Sequence, residues 1–375
     1  MFRWLKPLSQ KTDWRRLVIK RNNRVALFGC DFDPNPDIES IRRKIFRYIA
    51  YEGRYEYFGP YDLMEKEFRE NAARRLVGKY PCPAWLSASP DNSVQILPKT
   101  FRQYINDGGC NKYVSGFGNY VNQNLLPREI PFICGVDHSV TGGLVKAITE
   151  NITNSFKLLV FDAHLDAIPP IIRNELLGFA RDNPSLLNAD PFQYEYFSQE
   201  YSGAYEAGSF LYWLMEENAV APEDLIIIGI QDEPSASLRE IKDSRVKNYL
   251  DYYDKMLDSG VTIIPLAELA NRHKNDKLIA NLKRKINTDE IYISIDLDVF
   301  GQLVAATRYR INKGLSQEYF MNIFRGIINN SNLIGVDITE FDISYYIPGY
   351  NSQTSNYISF IEQTLDEILQ VCYTT

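Results

Sequence analysis

Seven short apolar runs constrain this chain more than any other feature: VALFG (25–29), PFICG (131–135), KLLVFDA (157–163), DLIIIGI (224–230), VTIIPL (261–266), IYISIDL (291–297) and LIGVDI (333–338). A strand with one wet face alternates apolar and polar residues. These runs are nearly continuous, as expected of strands buried on both faces of a parallel sheet covered by helices. Helical patterns separate them, at 37–50, 140–150, 207–217, 237–256, 267–286, 316–328 and 354–370. Strand then helix, repeated, predicts an α/β fold with a mostly parallel central sheet. The chain has 375 residues, 45% of them hydrophobic, enough for one large α/β domain with insertions over 1–375. The first ~130 residues are rich in Tyr, Pro and Asn and predict an irregular elaboration around the first strand.

In such folds ligands gather at the carboxyl ends of the strands. Polar residues collect there. Asp162, His164 and Asp166 follow KLLVF at alternate positions, and would share a face if extended backbone continued that far. Asp296 and Asp298 repeat the pattern after IYISI. His138 follows PFICG and precedes a helix, and Asp337, Glu340 and Asp342 cluster in LIGVDITEFD. The chain has three histidines, and two of them, His138 and His164, stand in these clusters; His273, in a polar helical stretch, reads as a surface residue. Taken singly, a D-x-D is a helix cap or loop hydrogen-bonder and a His is a core residue. Together they point elsewhere. Asp162, Asp166, Asp296 and Asp298 in one pocket would repel one another, and two divalent cations would balance them. Carboxylates with two imidazoles suit a metal such as Mn²⁺. Two such ions ~3.5–4 Å apart can activate a shared water.

The formal charge of −7 argues against nucleic acid as the main partner. Residues 1–24 are the exception, with eight Lys and Arg against Asp13, and read as a solvated arm or a docking arm for an acidic partner. Five widely spaced cysteines without a C-x-x-C pair predict a reduced, intracellular protein. No apolar run has membrane length and no signal core is visible, so the expectation is a cytoplasmic protein with no membrane partner. A homo-oligomer stays open. YVSGFGNYV (113–121) has a G-x-G without a third Gly and reads as a loop, and Pro81-Cys82-Pro83-Ala84-Trp85 as a rigid turn.

The ordered set Gly135-Val136-Asp137-His138-Ser139, Asp162-Ala163-His164-Leu165-Asp166, Ser294-Ile295-Asp296-Leu297-Asp298 and Glu340 resembles the ureohydrolase superfamily of arginases and agmatinases, over about residues 130–370. Val136 replaces one Gly of the family pattern. The resemblance implies a three-layer α/β/α sandwich. It implies one manganese held by His138, Asp162, Asp166 and Asp296, and a second by His164, Asp162, Asp296 and Asp298. Water activated between the two Mn²⁺ ions would attack a guanidinium carbon, Asp166 would pass a proton to the leaving amine, and Glu340 would pair with the guanidinium. The products would be urea and an amine.

The departures concern the substrate. After Asp166 comes a 35-residue stretch, 167–201, that reads as an insertion; then Ser202-Gly203-Ala204-Tyr205-Glu206 stands where arginases carry a serine-asparagine segment and a His. Glu206 or a water would take the role of that His. Gln231-Asp232-Glu233-Pro234 replaces an R-D-x-D-like segment, so Pro234 falls where an α-amine anchor is expected. Ser202 and Asp232 are left as polar substrate contacts. This pattern resembles the peptide arginases that convert arginine to ornithine within peptides, with 192–213 (FQYEYFSQEYSGAYEAGSFLYW) as a candidate groove or as ordinary packing. The alternatives are a ureohydrolase of a free small guanidine (arginine, agmatine or a guanidino acid) and a non-catalytic peptide-binding homologue. A single-zinc deacetylase of related architecture would not need the second His and the extra carboxylates.

Overall fold

The computed structural model describes residues 24–51, 59–68, 72–87, 95–126, 128–153, 155–184, 203–269, 272–286, 290–301, 313–341 and 351–373. Eight strands form one sheet: β1 (Arg24–Cys30), β2 (Arg74–Lys79), β3 (Glu129–Gly135), β4 (Lys157–Phe161), β5 (Leu225–Ile230), β6 (Thr262–Pro265), β7 (Glu290–Asp296) and β8 (Asn332–Thr339). Their order is β2-β1-β3-β8-β7-β4-β5-β6, and every pairing is parallel. The last two strands in sequence therefore fill the centre, between β3 and β4.

Alternation along the strands feeds two cores. Leu159, Phe161, Ile226, Ile228, Ile293 and Ile295 join one. Leu158, Val160, Leu225, Ile227 and Tyr292 join the other. The helices Pro60–Glu67, Gln317–Ile328 and Asn351–Tyr373 contribute to the first, and the helices Gly109–Asn124 and Val140–Asn151 to the second. The sheet is thus the middle of three layers, and continuous apolar strands follow from burial on both sides.

Several details differ from the sequence reading. β2 was not among the expected strands. Its sequence, RRLVGK, is half-exposed throughout, and it lies at the sheet edge, where charged residues block further pairing. Residues 24–126 hold two strands and the helices Ile38–Tyr51, Pro60–Glu67, Pro98–Asn106 and Gly109–Asn124, a more regular build than expected. Pro60 and Pro98 sit in first turns, where proline starts a helix instead of breaking it.

YVSGFGNYV is helix, not loop. Its glycine lets two helices touch: a Cβ on Gly118 would lie 2.1 Å from the Gly143 carbonyl oxygen, and one on Gly143 would lie 1.9 Å from that of Val114. The expected helix 237–256 is two, Ala236–Arg239 and Ser244–Asp258, each capped by the side chain before it, Ser235 and Asp243. The stretch 167–201 contains the helix Pro170–Asp182, and its residues 185–201 lie outside the described residues. Trp85 packs edge-on against Phe101 and Tyr104. The basic arm before Arg24 and the side chains of His273 and Cys372 also lie outside the described residues. No helix among the described residues is long and apolar enough to cross a membrane.

Candidate metal centre

Five contiguous strands, β3-β8-β7-β4-β5, end together and deliver His138, Glu340, Asp296 with Asp298, Asp162 with His164 and Asp166, and Asp232. The means of delivery is not continued strand alternation. β4 stops at Phe161 and β7 at Asp296. Beyond them an Asp side chain accepts the backbone N–H two residues on: Asp162 Oδ1 from His164 at 2.7 Å and Asp296 Oδ1 from Asp298 at 2.8 Å. Asp137 Oδ1 does the same for Ser139 at 3.0 Å after β3. These turns fold each strand end back over the sheet. Asp166 and Glu340 have φ of 46° and 59°, left-handed conformations that cost non-glycine residues energy and recur at functional sites.

Two donor clusters result. His138, Asp162, Asp166 and Asp296 form one, and Asp162, His164 and Asp298 the other, with ligating atoms within 4.8 Å of one another in each. His138 Nδ1 stands 3.1 Å from one oxygen of each of its three carboxylates. His164 Nδ1 stands 2.8 Å from Asp298 Oδ2 and 3.7 Å from Asp162 Oδ1. Asp296 groups with the first cluster, and its Oδ1 also accepts the backbone N–H of Asp298 in the second.

The donors fit cations. Asp162 Oδ2 and Asp298 Oδ2 are buried, each with an imidazole Nδ1 as its near neighbour, His138 at 3.1 Å and His164 at 2.8 Å. Buried carboxylate oxygens are costly unless something positive lies between them. Without it the site draws in protons. Burial, then repulsion from Asp166, Asp296 and Asp298, pushes Asp162 well above the carboxylate range. Burial and Asp298 push Asp296 up to about 7. Burial opposes charge on His138 and His164, yet the surrounding aspartates raise both. Burial raises Asp298 too, but His164 outweighs it and holds Asp298 below its ordinary value.

A second ring of contacts orients these groups. His138 Nε2 lies 2.9 Å from Ser294 Oγ, which donates to Asp337 Oδ1 at 2.6 Å, and Tyr292 donates to Asp337 Oδ2 at 2.7 Å. Asp337 is therefore buried behind the site. Glu340 Oε1 accepts the His138 backbone N–H at 3.0 Å. Asp232 Oδ2 accepts from Leu165 N at 3.1 Å, and burial raises its carboxyl to about 6. The sequence reading gave Ser294 no role beyond its motif. Its place two residues before Asp296 on one strand puts it on the same side of the sheet.

A cavity of about 230 Å³ opens onto the clusters, lined by His164, Asp166, Asp296, Asp298, Glu340 and, further along, Asp232, Arg173, Glu206 and Gly208. Glu206 is ion-paired with Arg173, which comes from the helix within 167–201. Ser202 and Asp342 lie outside the described residues. So does the first half of the aromatic segment, 192–202; of its described half, Tyr205 and Phe210 are buried in the core, with Phe210 against the His138 ring at 4.7 Å.

The family model described as "Arginase family" matches residues 110–358. The chain is 23% identical to a putative agmatinase of Schizosaccharomyces pombe, over 60% of this chain and 45% of that protein. It is 24% identical to an arginase of Staphylococcus aureus, over 52% of this chain and 55% of that protein. It spans about half the length of these curated relatives. Among solved structures, proclavaminate amidino hydrolase from Streptomyces clavuligerus superposes with a TM-score of 0.56 at 16% identity, covering 94% of both chains. By the match of its family model, carried over most of the sheet and every residue of the two donor clusters, the chain belongs to the arginase family.

Proposed function

We propose that this protein is a binuclear metal hydrolase that releases urea from a free, small guanidino compound. The observation that carries the reading is the pair of donor clusters sharing Asp162 at the base of a cavity of about 230 Å³ that also presents Glu340. That volume is below the ~300–1,000 Å³ of pockets for drug-sized ligands and suits a small molecule.

His138, Asp162, Asp166 and Asp296 would hold one divalent ion, and Asp162, His164 and Asp298 the other, with Mn²⁺ favoured by the carboxylate and imidazole donors. When bound, two such ions supply positive charge and a water of lowered pKa. The chain's own residues do the rest. Glu340, held by the His138 backbone N–H, offers a carboxylate to the planar fork of the guanidinium. Asp166, half-buried at the cavity, takes the proton of the attacking water and returns it to the departing nitrogen. A C–O bond forms at the guanidinium carbon, a C–N bond breaks, and urea and an amine leave.

Glu206 was the sequence candidate for a further proton carrier. Its ion pair with Arg173 gives it a charge partner, which favours a role in shaping the cavity. The peptide reading rests on the departures around Ala204 and Pro234. Of the described aromatics of 204–213, Tyr205 and Phe210 are core residues and Tyr212 and Trp213 are half-buried. The deciding experiment is a urea assay of the Mn²⁺-loaded protein on arginine, agmatine, guanidino acids and an arginine-containing peptide. Urea from small guanidines supports the proposal; urea from the peptide alone restores the peptide reading; none from any of them ends both.

A further inference from the structure

Arg173 is the one Arg or Lys among the described residues that line the cavity, against seven carboxylates. It belongs to neither donor cluster and comes from a segment that the family motifs do not include. A cation at that position is not needed to balance the metal end, where bound ions would supply the charge. It is also not needed for the guanidinium, which is itself a cation and has Glu340.

The local build suits an anion. Arg173 enters from the first turn of the helix Pro170–Asp182, its backbone N–H bonded to Pro169 O at 3.0 Å. Its guanidinium lies against the backbone of Gly208, where a Cβ would come within 2.6 Å of Nη1. Glu206, 8% exposed, is its ion-pair partner. A guanidinium carries five N–H donors in a planar fork, a geometry that can serve two carboxylates at once. A terminal amine beside Arg173 would instead meet a like charge, and would have to turn to another carboxylate such as Asp232. An uncharged tail would gain nothing from Arg173.

We propose that Arg173 is a specificity-determining residue that binds a carboxylate on the tail of the substrate, so that the substrates of this site are guanidino acids. This rests on the urea-releasing activity proposed above. Charge-assisted hydrogen bonds of about 1.5–3 kcal/mol correspond to roughly 10–100-fold in kcat/KM.

The test uses the Mn²⁺-loaded protein on three guanidines of similar length: 5-guanidinopentanoate, agmatine and butylguanidine. The wild type should favour the acid by about tenfold or more over butylguanidine, mainly through KM. In Arg173→Met the acid should lose at least about ten times more kcat/KM than butylguanidine does, and competitive inhibition by 5-aminopentanoate should weaken in parallel. Arg173→Lys keeps a charge beside Glu206 and should fall between the two, which preserves the test if the Met variant does not fold. An equal loss on all three substrates would make Arg173 a structural strut, and a wild-type preference for agmatine or butylguanidine would also overturn the proposal. Absence of urea from every guanidine would instead refute the proposed activity itself.

Discussion

His138 and Asp337 are joined through one hydroxyl. Ser294 Oγ lies 2.9 Å from His138 Nε2 and donates its hydrogen to Asp337 Oδ1 at 2.6 Å. That hydroxyl has one hydrogen, already used, so it accepts from Nε2–H. Nδ1 is then the nitrogen turned to Asp162, Asp166 and Asp296. A carboxylate-backed partner of this kind sets the tautomer and the basicity of a ligating imidazole.

Ser294→Ala should therefore weaken manganese binding by about 10–100-fold while leaving the fold intact. Titration with Mn²⁺ followed by electron paramagnetic resonance measures it directly. An unaltered affinity would show that the ring is oriented by other contacts, such as the tilted ring of Phe210 at 4.7 Å.

Metal content should separate the two clusters. Asp298 belongs to one cluster and Asp162 to both. Asp298→Ala should lower bound manganese from two ions per chain towards one, and Asp162→Ala should remove nearly all of it. Urea release should fall by roughly 10³-fold or more in each, the loss of several kcal/mol of charge stabilisation. Elemental analysis beside the urea assay checks both. Equal metal content in the two variants would contradict the shared position of Asp162.

The contact between helices Gly109–Asn124 and Val140–Asn151 leaves no room for a methyl group. Gly143→Ala would place a Cβ 1.9 Å from the Val114 carbonyl oxygen, so the helices must separate. Overpacking of this sort costs about 1–3 kcal/mol. The second helix begins two residues after His138, so the shift should also loosen metal binding. Thermal unfolding with and without Mn²⁺ reads both effects; a variant as stable as wild type would mean that the helices accommodate the methyl without separating.

The edge strand β2 is tied to the sheet by charge. Arg75 Nη2 and Nε bond both oxygens of Glu129 in β3, at 2.6 and 2.8 Å, across β1. Burial pushes the Glu129 carboxyl up, but Arg75 and the Leu126 N–H outweigh it and hold it below its ordinary 4.5. A carboxyl lowered on folding stabilises fully above its unfolded value and loses that contribution as pH falls through the folded one. Arg75→Met should cost about 2 kcal/mol near neutral pH. The gap from wild type should close below pH 4.5, as Glu129 takes up its proton in both proteins. Urea denaturation at several pH values gives the curve, and a pH-independent gap would assign the loss to packing.

Seven of the eight strands were legible because each is an apolar run, six of them interior and the seventh, β6, an edge strand that is apolar all the same, and the metal donors because they are polar residues placed directly after such runs. β2 was not legible, since an edge strand half in water looks like any polar segment. The helix over 113–121 was hidden for a related reason. Its glycines break a helical pattern locally, and their value lies in the approach of a second helix far along the chain.

By itself the sequence determined the parallel α/β architecture and the residue types at the strand ends, because both follow from local order along the chain. The tertiary structure alone decided how those residues meet. Strand order brings β7 and β8 between β3 and β4, and Asx turns, not strand alternation, aim the carboxylates. It also decided the character of the cavity beyond them, where Arg173 pairs with Glu206 across 33 residues of chain. Such a contact depends on the packing of separate elements, and no spacing along one segment encodes it.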